Sequence, residues 1–289
     1  ASDVYKRQIS YIKIEGGDHG HSHGESESET PKDKFFEEHK TIVNKLYLNI
    51  NAEDFNFYIG KFSPVVGMDF HKFPGAYGYQ EVEGYALLQK VGLGGQYTDL
   101  EDAGTHKFNI SSFYQDTSSL SHSRINNSGK LRKADGGISN TEDLSSYAIS
   151  LQGKDFFSLD NNFLDGFMYQ IGHAKQAKGT GGEADEKRYS VGFSHKSYLS
   201  EDVTMMLIFE YMDIEKLGGE KGHDRTYTTY GANFEYDKFT LGGTITLKDN
   251  DAEEADENVN DSVRQFSIGY FVTDQFKVDL GYKLSLIHI

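Results

Sequence analysis

The 289 residues include no cysteine, no tryptophan and only three prolines. Nowhere do they string together the ~18–20 consecutive apolar residues that a membrane-spanning helix needs. The lack of cysteine excludes a disulfide framework and suits an oxidising envelope compartment. Scarce proline beside 31 glycines suits long strands with tight bends more than a helical protein. Bases are few as well: 29 Lys and Arg stand against 45 Asp and Glu, a formal charge of −16. That argues against nucleic acid as a partner, because a phosphate-tracking surface is basic. Tyr (19) and Phe (20) are abundant, as sheets and membrane interfaces favour. No composition shift or linker separates two halves, so the length reads as one domain.

Several stretches alternate with period two, the signature of a strand with one apolar face. In 45–51, Leu46, Leu48 and Ile50 share a face, and in 202–213 Val203, Met205, Leu207, Phe209 and Tyr211 do. In 238–248 the apolar set is Phe239, Leu241, Ile245 and Leu247, and in 275–283 it is Phe276, Val278, Leu280 and Tyr282. A soluble sandwich alternates too. The connections discriminate: short ones are expected at 52–54, 100–104, 154–161, 200–202, 236–238 and 272–274. Long polar ones are expected at 15–40, 63–83, 117–143, 176–186, 214–224 and 249–261. Short turns on one side and long loops on the other are the pattern of an outer-membrane barrel. The fold class is therefore all-β, an antiparallel up-and-down transmembrane β-barrel.

The two ends read differently. Residues 3–8, DVYKRQ, and 284–289, LSLIHI, look like translations of a sequencing-adapter end and its reverse complement, segments to be set aside. The expected division is an adapter-derived 1–8, a barrel over 9–283 open at both ends, and an adapter-derived 284–289. Without Asp3, Lys6 and Arg7 the middle part has 27 bases and 44 acids, −17, so the sign persists. About thirteen strands are expected. A closed bacterial barrel has an even number, which implies a parent of 14–16 strands. The missing signal peptide is then a matter of truncation.

By alternation, Lys45, Lys90, Lys107, Arg188, Lys196, Arg225, Lys238, Lys248, Lys277 and Lys283 fall on the inner face, against Glu210, Glu235 and Asp279. Such a basic lumen favours anions. Lysines snorkelling at the rims are the plainer account of Lys238, Lys248 and Lys277. The acids collect in long loops, where they either bridge to lipopolysaccharide through divalent cations or are simply solvated. In the loop 117–143, Arg124, Lys130, Arg132 and Lys133 form a basic cluster, read either as a pore constriction or as a surface charge run. The aromatic, glycine-rich 64–83 is the other constriction candidate. His19, His21 and His23 alternate in DHGHSHG and suit Zn, Cu or Ni, or else belong to a hydrophilic loop. No G-x-S-x-G or HExxH occurs, so no enzyme and no cofactor is expected.

Residues 58–67, YIGKFSPVVG, resemble the strand-end GK-aromatic-x-P-x-x-G of Gram-negative general and phosphate-selective porins. The resemblance implies a bacterial outer-membrane location and a passive channel for small hydrophilic solutes. It also implies lipid and lipopolysaccharide around the barrel and assembly as a homotrimer. The alternatives are a siderophore-type porin, or an outer-membrane receptor or adhesin with acidic ligand-binding loops.

Overall fold

The structure is a computed structural model that describes residues 4–15, 40–101, 104–123, 130–156, 164–252 and 260–286, with backbone alone at 4–15, 40–41 and 100–101. The strands are β1 (Val4–Glu15), β2 (Lys40–Ala52), β3 (Phe55–Phe62), β4 (Lys90–Glu101), β5 (Gly104–Gln115), β6 (Ser146–Lys154) and β7 (Phe167–Gln176). They continue as β8 (Glu186–Tyr198), β9 (Val203–Glu215), β10 (His223–Tyr236), β11 (Phe239–Ala252), β12 (Asn260–Thr273) and β13 (Phe276–Leu286). All pair antiparallel with their sequence neighbours, in one sheet ordered β1 to β13 without a crossover. This is the up-and-down arrangement that the alternation implies. Among the described residues the sheet does not close, since β1 pairs with β2 alone and β13 with β12 alone.

Both terminal strands take in residues set aside above as adapter-derived, 4–8 in β1 and 284–286 in β13. Pairing at a sheet edge runs through backbone amides and carbonyls, which every residue except proline offers in full. At the short-turn end, left-handed conformations at Glu53 (φ 51°) and Asp237 (φ 49°) reverse the chain within two residues. The alternation of lengths is looser than expected: the connection expected to be short at 154–161 spans 155–166 and is longer than 177–185 and 216–222. The long connections shrink because β10, β11 and β12 carry their ladders into polar ends, such as Asp224–Asp251, that have no apolar pattern to reveal them.

The two faces reverse the pattern of a soluble protein. On β11, Phe239, Leu241, Ile245 and Leu247 are exposed, while Thr240, Thr244 and Thr246 are buried. On β12, Phe266, Ile268 and Tyr270 are exposed, with Gln265 and Ser267 buried. Exposed apolar positions and buried polar ones are what a lipid-facing wall around a polar interior produces. The eight steps from Phe239 to Leu247 cover about 27 Å along a tilted strand, the scale of a ~25 Å apolar band. Asp249 follows at once on the same face. The Phe55 ring lies tilted beside Tyr97 (4.9 Å) and that of Phe239 beside Tyr270 (5.0 Å) at the short-turn edge. Tyr147, Tyr189 and Tyr211 are exposed toward the other edge, so two aromatic girdles flank the band.

Among the described residues, no helix is long and apolar enough to cross a membrane. The principal apolar cluster lies inside the sheet: Val66, Met68, Phe73, Val82, Tyr85 and Leu87 of the β3–β4 connection pack on Phe113, Ala148, Met168, Ala174, Ile208, Met212, Ile214 and Tyr227.

Candidate constriction site

Residues 63–89 leave the long-loop end of β3 and fold onto the inner face of the sheet. Their course is set by glycines on the inner face of five strands. A Cβ on Gly172 of β7 would enter the Val66 carbonyl, and one on Gly192 of β8 would enter the Met68 side chain. Gly231 of β10 and Gly242 of β11 leave room for Pro74, and Gly281 of β13 for Ala76 and Tyr77. The segment 66–77 therefore runs around the wall from β7 to β13 in a groove that glycine opens. A short helix, α1 (Gly78–Gly84), turns the chain back.

Polar contacts fasten the loop along this groove. The Ser190 hydroxyl and the Gln170 amide donate to the carbonyls of Val66 and Gly67. The Thr244 hydroxyl donates to the Pro74 carbonyl (2.8 Å), and Gln265 accepts from the Tyr77 amide (2.9 Å). Glu210, fully buried on β9, accepts from the Met68 amide and from the Tyr85 hydroxyl (2.6 Å), so one carboxylate holds both limbs of the loop. Burial first, and the Glu210 charge second, push the Tyr85 hydroxyl well above its ordinary pKa and keep it a donor. Arg188 donates to the Tyr85 carbonyl and pairs with Glu186 at 2.7 Å. Glu186 also accepts from Gln176 (2.6 Å) and from the Gly218 amide (2.9 Å). On α1, Glu81 lies between Lys248 (2.6 Å) and Lys283 (2.9 Å). Burial raises the Glu81 pKa, but the hydrogen bonds and charges of the two lysines outweigh it and hold the group below its ordinary value.

The inner-face residues separate into groups. Glu210 and Arg188 serve the loop. Lys90 is buried at the top of β4 and donates to Gln115. Arg225 donates to Asn250 and lies 3.3 Å from the Tyr227 hydroxyl. Lys45 and Lys107 are half-buried on β2 and β5. Lys196 is exposed beside the Tyr198 ring (5.4 Å) and Glu235 is exposed near the end of β10, accepting from Asn233 (3.0 Å). The expected excess of inner bases is reduced by Asp279, already placed inward by alternation, and by two acids beyond that set, Glu186 and Glu81. Glu186 neutralises Arg188, Glu81 faces Lys248 and Lys283, and Lys277 pairs with Asp279 at 2.8 Å. Alternation places Glu186 inward with Arg188, but a strand start read as loop concealed it.

The basic cluster of 117–143 is not brought to the groove. Lys130, Arg132 and Lys133 are exposed, and Lys133 pairs with Glu142 at 3.3 Å. The Asn140 amide ties the carbonyls of Arg132 and Gly136, and Ile138 bridges to Lys178, so the segment caps the strand ends at the rim. Arg124, and the histidines His19, His21 and His23, lie outside the described residues. Lys61, in the motif that carries the porin resemblance, is on the outer face of β3. There its ammonium meets Asp116 at 2.7 Å and donates to the Leu120 carbonyl, with both side chains 1% exposed beneath 116–120.

No family model and no curated protein matches the chain. Among solved structures the fold is similar to the in-vitro folded trimer form of OmpT, an outer membrane protein of Vibrio cholerae. The match covers 86% of this chain and 71% of that one, with TM-score 0.50 and 11% identity. It is also similar to the outer membrane channel DcaP of Acinetobacter baumannii, over 86% of this chain and 73% of that one, with TM-score 0.51 and 7% identity. At such identity the likeness concerns the fold, and the fold is that of an outer-membrane β-barrel.

Proposed function

We propose that the chain forms a passive outer-membrane channel for small hydrophilic solutes, with residues 63–89 as its constriction and a mild preference for anions. The observation that carries this reading is the loop docked along a glycine groove on a polar inner wall, inside a sheet whose outer face is apolar and aromatic. A loop so placed narrows a lumen without filling it, and the reading involves no chemistry and no cofactor. The anion preference is supported by Lys45, Lys72, Lys107 and Lys196, which no inner-face carboxylate matches in an ion pair among the described residues. It is weaker than a count of inner bases suggests, because Lys248, Lys283, Arg188 and Lys277 are neutralised. Lipid and lipopolysaccharide would surround the apolar band, and a homotrimer is part of the proposal, in keeping with the trimer form described for OmpT of Vibrio cholerae.

Planar-bilayer recording of the purified protein tests it. Discrete conductance steps and a reversal potential displaced toward the chloride equilibrium in a salt gradient are expected. Absence of steps would sink the channel and favour a receptor or adhesin barrel. Strong cation selectivity would remove the charge argument alone.

A further inference from the structure

We propose that Lys72, seated against the sulfur of Met168 on the inner face, forms with Lys107 of β5 and Lys154 of β6 a binding site for a small polyvalent oxyanion. The site deepens the channel reading and rests on it only for access from the lumen. Its geometry is a surplus of donors over acceptors. The Lys72 ammonium, at the tip of the constriction loop, lies 3.2 Å from Met168 Sδ. The Gln152 amide nitrogen lies 3.0 Å from the same sulfur. A thioether is a weak acceptor, so two good donors converge on a group that satisfies neither.

The sheet register brings further cations to the same place. Lys107 of β5 is directly opposite Gln152 of β6. Lys154 is the next inner-face position along β6, and together with Met168, Lys196 and Asp165 it lines a cavity of about 590 Å³. Among the described residues, Lys154 alone of the three lysines is ion-paired, to Asp155. Lys72 is exposed on its surface side, and partial desolvation of its ammonium lowers its pKa, with the charges of Lys154 and Lys107 adding to this and Asp69 offsetting part of it. Two oxygens of a phosphate or a dicarboxylate would give Lys72 and Gln152 true acceptors and relieve repulsion among the ammoniums.

Calorimetric titration of the folded protein in detergent with inorganic phosphate, and separately with succinate, tests the site. Saturable binding of at least one is expected, and the two arms distinguish a tetrahedral oxyanion from a dicarboxylate. Lys72→Gln and Lys107→Gln should each weaken it about tenfold, while Lys221→Gln, on an exposed loop, leaves it unchanged. Met168→Leu, which removes the sulfur but no charge, should retain binding. Each variant is first checked for the folded band that heating shifts on a gel. No saturable binding of either anion, or equal binding by folded wild type and the lysine variants, overturns the site. Conductance without binding sinks the site alone, and binding without conductance sinks the channel alone.

Discussion

Lys61 and Asp116 illustrate how a residue's neighbours decide its role. A lysine at the end of an outward-facing strand ordinarily reaches for water or lipid phosphate. Here it is sealed with a carboxylate beneath 116–120. Removing one partner of such a pair leaves a buried charge, so Lys61→Ala should destabilise the folded barrel by roughly 3–5 kcal/mol. Replacing both, as Lys61→Met with Asp116→Leu, should recover most of that loss. Urea unfolding in lipid vesicles measures both, and a double variant as unstable as the single one would refute the buried-pair account. The sequence named Lys61 through its motif but not its partner, because the pair is fifty-five positions apart and depends on how 116–120 folds back. Glu210 was legible as an inward acid, since alternation fixes which way it points. That it holds Met68 and Tyr85 was not, because hydrogen-bond partners on a loop have no period.

At the scale of the element, the β3–β4 loop depends on absences of side chains on five strands. Gly172→Val would drive a side chain into the Val66 carbonyl, and the loop, having little room to yield along the groove, should lift toward the lumen centre. Smaller unitary conductance, with an unchanged folded band on an unheated gel, is the expected result. Conductance equal to wild type would show that the groove does not position the constriction. Glu81 anchors α1 through Lys248 and Lys283. Its folded pKa is depressed, so its contribution is present above the ordinary carboxylate value and is lost as pH falls through the lower, folded value. Current noise from a loosened loop should therefore rise only below about pH 4.5. Glu81→Gln should bring the same noise at neutral pH. A variant quiet at both pH values would exclude Glu81 as an anchor. The loop's aromatic and glycine-rich composition hinted at interior packing. The competing basic cluster at 117–143 had the stronger charge signal, but Ser139 and Asn140 fasten its segment at the rim.

The whole molecule is organised by a medium that is absent from the sequence. Exposed Ile110 on β5 and half-buried Gln96 on β4 lie on opposite faces of adjacent strands. If the outer face meets lipid, Ile110→Lys should cost about 2–4 kcal/mol near the midplane, and Gln96→Lys about 1 kcal/mol or less. Equilibrium unfolding in phospholipid vesicles would reveal the asymmetry, and equal costs would contradict a lipid-facing band. The same asymmetry explains how so polar a chain supports a membrane fold. Only alternate residues of each strand touch lipid, and the acids lie in loops, at strand ends or, like Glu210 and Asp279, on the inner face.

Local periodicity specifies a barrel of long antiparallel strands and which face of each strand looks outward. Those properties repeat every two residues and are written locally. It also sets the sign of most inner-face positions. Which loop enters the barrel and which inner lysines are neutralised emerge only when the chain is packed. Those outcomes depend on shape and charge matching between segments up to two hundred residues apart, such as Glu81 and Lys283, and no local pattern encodes that distance.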